Sequence, residues 1–332
     1  MWRVVTSCGD CSPPIHEGTT ADSALRLWTI IADERRKQHS LLAAELEHAL
    51  VRDLRPGAAD PLTLRPIPKA RDDRPLLRLT KPEWELRDLV FPASVLEIIA
   101  EIVIENRGRS LLASQSLQPR QRILLIGPPG TGKTAAAHAV AGELSLPVAV
   151  TSIAALTSSY LGETARNIES VVRFAESTPC VLVFDEIDAI VGERSKPQDH
   201  AEMRRVVATV LQLLDEVHGE SLLIATSNHP SLIDYALWRR FDEVIGLSML
   251  SDEGVIALID LRTKSVPRSF SIPKWAAQLK QLPPAQIEAI CIDALRRRAL
   301  SNEGEITDEL FAASVKSWQR RQASIAALSG NV

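Results

Sequence analysis

Tyrosine is almost missing from this chain. Two tyrosines, six phenylalanines and six tryptophans make 4% of 332 residues aromatic, so an aromatic placed outside a periodic apolar frame needs an explanation. Cysteine is equally sparse. Four cysteines in so long a chain build no disulfide framework, and 45% apolar residues supply a core that needs no such staples. Cys8 and Cys11 form a CxxC with His16 nearby, but no second Cys or His pair follows closely to complete a zinc site, and two incidental thiols in a leader are expected. Cys180 opens an apolar stretch and Cys291 falls in a helical one, so both are expected as small core residues. No run of eighteen uncharged apolar residues provides a membrane-spanning helix. The opening MWRVVTSCGDCSPPIHEG carries polar and acidic groups where a signal peptide has its apolar centre, and a soluble, cytoplasmic protein is expected. A net charge of −4 provides no global basic field, so neither nucleic acid nor an anionic membrane is an expected partner.

The length points to two or three domains. Residues 1–20 are expected as a disordered leader. Residues 21–54 place Leu25, Trp28, Ile31, Leu41, Leu42, Leu46 and Leu50 at helical spacing, which predicts a helical hairpin bent near Lys37 to Ser40. Two helices cannot bury both faces alone, so the hairpin must dock on the main body or on a partner. Residues 55–84, rich in proline and charge, read as an extended linker. Beyond them a helix is predicted near 92–113. Apolar runs follow at RILLIG (122–127), PVAVTS (147–152), CVLVFDE (180–186), SLLIATSN (221–228) and EVIGLSM (243–249), separated by helical stretches. Continuous apolar strands divided by helices predict an α/β fold, a parallel sheet covered on both faces with its ligand site at the carboxyl ends of the strands.

The chemistry-bearing motifs sit at those ends. GPPGTGKT, made of Gly127, Pro128, Pro129, Gly130, Thr131, Gly132, Lys133 and Thr134, follows a strand and opens a helix, as a phosphate-binding loop requires. Its glycines let backbone N–H groups curl around phosphate oxygens, Lys133 reaches the terminal phosphates and the Thr134 hydroxyl ligates Mg²⁺. VLVFDEID ends an apolar strand in adjacent carboxylates: Asp185 is expected to hold Mg²⁺, directly or through water, and Glu186 to orient and deprotonate an attacking water. A helix cap by Asp188 would explain Asp188 but not the adjacent pair. In IATSNHP, Asn228 ends a further strand, where its amide could hold the lytic water or sense the γ-phosphate, or could serve as an ordinary turn residue. LIDYALWRRFDEVI carries Arg239 and Arg240, either bridging to Asp242 and Glu243 or acting as an arginine finger on a neighbouring subunit's nucleotide.

Together these residues resemble the AAA family of ATPases, in particular the katanin, spastin and cell-division type, over about residues 85–300. The resemblance implies ATP and Mg²⁺, hydrolysis of ATP to ADP and phosphate, a phosphate-loop α/β domain over 85–250 and a helical lid over 251–332. It also implies self-assembly into a ring, usually a hexamer, with ATP between subunits. It places Tyr160, Leu161 and Gly162, in the polar stretch SSYLGET, on a pore loop that grips an extended protein substrate, which explains a tyrosine outside any periodic frame. Residues 192–205 would supply a second pore loop.

Departures from the family pattern leave points open. The arginine motif is shortened to RRF, so either arginine can be the finger. LPPAQIEAICIDALRRRA (282–299) opens its helix with Pro284 and shows no sensor arginine there, and Arg296, Arg297 and Arg298 read as a solvated or subunit-facing surface. The hairpin, ATSNHP and ALWRRFD are also similar to bacterial stand-alone AAA ATPases paired with a subtilisin-like protease, which would make residues 21–54 a docking site for a protease, an adaptor or a substrate. Two functions compete. One is a motor that threads or remodels protein; the other is a nucleotide-gated switch for a partner enzyme, or a DNA-acting ATPase.

Overall fold

The computed structural model describes residues 66–156, 163–188, 219–232, 238–301 and 303–329. The expected leader, helical hairpin, Cys8–Cys11 pair and residues 55–65 of the linker lie outside the described residues, as do Tyr160, Leu161, Gly162 and the second loop over 192–205.

The sheet is built from β1 (Leu77–Thr80), β2 (Arg122–Ile126), β3 (Val148–Thr151), β4 (Val181–Phe184), β5 (Leu222–Ser227) and β6 (Glu243–Gly246) in the order β1-β3-β4-β5-β2-β6. All neighbours run parallel except the edge strand β1, which pairs antiparallel with β3. That strand corrects the expected linker. Leu76 and Leu77 are fully buried and Leu79 packs on the same core, so the apolar residues of PLLRLT outweigh the surrounding proline and charge once β3 offers a partner.

Both faces of the sheet are covered, which is why its strands read as unbroken apolar runs. Leu124, Leu182, Phe184 and Leu223 face one core, closed by α5 (Glu163–Ser177). Ile123, Leu125, Val181, Val183 and Ile224 face the other, closed by α1 (Ala93–Arg107) and α3 (Lys133–Leu144). The helix expected near 92–113 breaks at Gly108 and resumes as α2 (Arg109–Ser114). The short α4 (Ile153–Leu156) precedes α5. Helix α3 buries residues around most of its circumference, among them Ala136, Ala137, Ala139, Val140 and Ala141; the alanines let it lie close to the strands it crosses.

A third core belongs to the C-terminal helices α6 (Asp252–Thr263), α7 (Ile272–Leu279), α8 (Pro284–Ser301) and α9 (Asp308–Ser329). Phe311 is fully buried at its centre, stacked on Phe270 with ring centroids 4.4 Å apart and tilted against Trp275 at 5.3 Å. The Ser251 hydroxyl caps α6 by accepting from Gly254 N–H, and Pro284 opens α8 as expected. Cys180 and Cys291 are buried, and burial raises their thiols to about 11 and about 12, so both serve as core residues. Among the described residues, no helix is long and apolar enough to cross a membrane.

Candidate functional site

The strand order places the chemistry. β5 lies between β4 and β2, so the loop after β2, the carboxylates after β4 and the end of β5 converge on one edge of the sheet. A cavity of about 300 Å³ opens there.

Its floor is the loop from Gly127 to Thr134. A Cβ on Gly127 would lie 2.0 Å from the Leu247 carbonyl oxygen, so only glycine lets the loop leave β2 beside β6. At Gly130, φ is +78° and a Cβ would press on Pro283 and Ala285; the Gly130 carbonyl accepts from Ala285 N–H at 3.1 Å, tying the loop to the start of α8. Thr131 Oγ1 donates to the Pro128 carbonyl at 2.9 Å and stiffens the loop. Lys133 is buried, and its Nζ donates to the carbonyls of Gly127 at 2.8 Å and Pro128 at 2.9 Å. Burial holds this ammonium below its ordinary pKa, against the opposing pull of Asp185, Asp188 and Glu186. A desolvated cation beside the exposed amides of a helix N-terminus is suited to a polyanion.

The opposite wall is a relay of polar side chains. Thr134 Oγ1 donates to Asp185, 3.1 Å from Oδ1 and 3.3 Å from Oδ2. Thr226, fully buried on β5, donates from Oγ1 to Asp185 Oδ1 at 2.7 Å and accepts from Glu186 N–H at 2.9 Å. Glu186 adopts φ +55°, a left-handed conformation that costs a non-glycine residue about 1–3 kcal/mol. Its carboxylate is held by Asn228, whose Nδ2 donates to Oε1 at 3.1 Å. Asn228 N–H in turn donates to buried Asp188 at 3.4 Å. The strained backbone turns the Glu186 side chain into the exposed mouth of the cavity, where a base can meet water.

A hydroxyl and a carboxylate within 3.1 Å of each other make a hard, oxygen-only donor pair. Such a pair fits Mg²⁺, which takes few protein ligands and completes its shell with water and phosphate oxygens. Thr134 and Asp185 could hold the ion.

The structure thus brings together Lys133, Thr134, Asp185, Glu186 and Asn228. It does not add Arg239 and Arg240 to them. Both are exposed on the turn that enters β6 at its amino end, across the sheet from the phosphate loop, and neither lines the cavity. Asp242 and Glu243 are held by the residues that enter β2. Asp242 accepts from the backbone N–H groups of Gln121 and Arg122 and pairs with the Arg122 guanidinium at 2.6 Å, while Glu243 pairs with Arg120 at 2.7 Å.

Thr226 was not among the residues expected here, although a threonine in a buried apolar strand two residues before Asn228 was a signal. Three more went unnoticed at the far end of the cavity: Trp84 before α1, Arg262 on α6 and Glu288 on α8. The Arg262 guanidinium lies 5.1 Å from the Trp84 ring centroid and its Nε is 3.0 Å from Glu288 Oε1.

A parallel sheet with a phosphate loop, a hydroxyl–carboxylate pair and a carboxylate base at its carboxyl edge defines a phosphate-loop nucleotide hydrolase. The comparisons with known proteins narrow the class. Residues 123–249 match the model of the ATPase family associated with various cellular activities (AAA). The chain is 33% identical over 303 residues to an uncharacterized AAA family ATPase, y4kL, of Sinorhizobium fredii, covering 90% of this chain and 91% of that one. It is 29% identical over 240 residues to a proteasome-activating nucleotidase of Methanococcus maripaludis, covering 69% of this chain and 59% of the nucleotidase. It is 35% identical over 215 residues to the peroxisomal ATPase pex6 of Schizosaccharomyces pombe, covering 61% of this chain and 23% of that one. The chain belongs to the AAA family, and it is an ATPase.

Proposed function

We propose that the protein is a ring-forming, ATP-driven motor that remodels or threads a protein substrate. The observation that carries the hydrolytic half is the relay from Thr134 through Asp185 and Thr226 to Glu186 and Asn228. In this reading the loop amides and Lys133 bind the phosphates, Lys133 exchanging its bonds to Gly127 and Pro128 for phosphate oxygens. Thr134 and Asp185 would hold Mg²⁺, which would supply positive charge against those oxygens. Glu186 takes the proton of the attacking water, and Asn228 fixes the Glu186 carboxylate and the water beside it.

The ring is supported by the position of Arg239 and Arg240. Exposed on the edge of the sheet away from their own cavity, they can serve a neighbouring subunit, where a guanidinium stabilises charge developing on the γ-phosphate. A hexamer is the assembly that the family resemblance suggests. A protein substrate is supported by the relative named for activating a proteasome and by Tyr160, Leu161 and Gly162, read from the sequence as a loop that grips extended polypeptide. The helical lid over 251–332, the cytoplasmic location and a protease or adaptor bound through residues 21–54 belong to the same reading.

One experiment tests both chemistry and assembly. Glu186→Gln should retain ATP binding while phosphate release falls by about two to four decades, the scale of a lost general base. Mixing Glu186→Gln subunits with Arg239→Ala or Arg240→Ala subunits should then restore activity, because a mixed interface can join an intact base to an intact arginine. A normal rate in Glu186→Gln overturns the base assignment. No rescue by either arginine variant, with subunit mixing verified, overturns the action across an interface.

A further inference from the structure

The cavity has two chemically different ends. Lys133, Thr134, Asp185 and Glu186 form one; the other lies between the strip from Trp84 to Phe91 and helices α6 and α8. Leu89, Val90, Leu258 and Ala285 make that second end largely apolar, and the charged side chains lining it are Arg262 and Glu288. An elongated ligand with a polyanionic head and a flat, mostly apolar tail matches this division, and ATP has that form.

We infer that Glu288 reads the 6-amino group of the adenine base and that Arg262 positions it, an inference that rests on nucleotide binding in this cavity. Glu288 is three-quarters buried, with its side chain 25% exposed. Arg262 is more buried still, at 16%: its Nε lies 3.0 Å from Glu288 Oε1 as an ion pair without hydrogen-bond geometry, and its guanidinium sits over the Trp84 ring. The ion pair lies on Oε1, and Oε2 is the acceptor that this reading turns to the base. An ionised carboxylate only accepts hydrogen bonds. The exocyclic amine of adenine only donates, and a bond between it and a partly desolvated charge is strong and directional. Arg262 supplies a donor beside that acceptor, which complements the ring nitrogens flanking the amine.

The test removes the amine from the ligand and the acceptor from the protein in turn. Dissociation constants are measured for ATP and for purine riboside triphosphate, which has hydrogen in place of the 6-amino group, on the full chain and on Glu288→Ala and Glu288→Gln. The full chain should bind ATP about tenfold or more tightly than the deaminated analogue, the scale of one hydrogen bond to a charged group. In Glu288→Ala the two ligands should bind within about twofold of each other, and Glu288→Gln, whose amide oxygen still accepts, should keep part of the preference. Thermal melts of the three proteins check that the fold is intact, and Glu288→Gln provides the comparison should Glu288→Ala fail to fold. An equal preference for ATP in all three proteins, or no preference in the full chain, overturns the inference. Failure of the full chain to bind any of these nucleotides instead overturns the reading of the cavity itself.

Discussion

Thr226→Val keeps the shape of the side chain and deletes one oxygen, which makes it the sharpest probe of the relay. That oxygen accepts from Glu186 N–H at 2.9 Å and donates to Asp185 at 2.7 Å, in a residue with no exposed surface. A buried donor left without its acceptor costs about 1–3 kcal/mol, and a lost bond to a carboxylate about 1.5–3 kcal/mol. Asp185 is only partly buried and can recruit water, and the added methyl group contributes about 0.8 kcal/mol of burial in return. The net loss is therefore about 2–3 kcal/mol, or about 4–12 °C in the melting temperature of a domain this size. The catalytic effect is separate. Released from Thr226, the Glu186 backbone can relax from its left-handed conformation and move the carboxylate. A displacement near 1 Å costs roughly 10²-fold in rate, so kcat should fall about 10- to 100-fold with little change in nucleotide affinity. Thr226→Ser keeps the hydroxyl and should retain most of the rate. Melting curves and steady-state phosphate release measure both quantities. A Thr226→Val protein with the melting point and kcat of the parent, or a Thr226→Ser protein as impaired as Thr226→Val, refutes the relay.

Asp242 gives a pH-dependent test of the turn that carries Arg239 and Arg240. Burial opposes its ionisation, but the Arg122 guanidinium and the backbone N–H groups of Gln121 and Arg122 outweigh that and hold its pKa below the ordinary 3.8. Its stabilisation is therefore complete above about pH 4 and lost as the pH falls through the depressed folded-state pKa. At pH 7 Asp242→Asn should cost about 1.5–3 kcal/mol in urea titrations, and the gap should narrow in strong acid; a gap that widens as the pH falls contradicts the assignment. Tyr160 tests the gripping loop read from the sequence. Tyr160→Ala should leave basal hydrolysis and the melting point nearly unchanged and abolish stimulation by an unfolded protein, whereas a fall of about 3–5 kcal/mol in stability would mark a core aromatic.

The phosphate loop was legible in the sequence because its function is local: eight consecutive residues hold the backbone, the lysine and the hydroxyl that one phosphate chain needs. Asp185 and Glu186 were legible because an apolar run that stops in two carboxylates has few structural explanations. The parts that escaped notice depend on long-range closure. β1 is four residues long and becomes a strand only when β3 pairs with it, so proline and charge around it dominated the local pattern. Thr226 gains its role from β4 alongside, and Trp84, Arg262 and Glu288 meet from three segments far apart in the chain. Asp242 and Glu243 stand next to two arginines in sequence, yet the residues entering β2 provide the guanidinium groups that bind them.

The cavity also lies where the sheet and the C-terminal helices meet. Leu86 and Phe91 pack on the core around α1 and α3, while Val90, between them, packs on the core of α6 to α9. Ala285 N–H bonds the Gly130 carbonyl across the same junction. A nucleotide reaching from Lys133 to Glu288 would touch both bodies at once. Its affinity must then depend on how the two bodies are set against each other, because a ligand shifts a conformational equilibrium by its differential interaction with the two arrangements. Contacts with α6 and α8 would then let occupancy of the cavity bear on the placement of those helices relative to the sheet, which the phosphate end alone would not do.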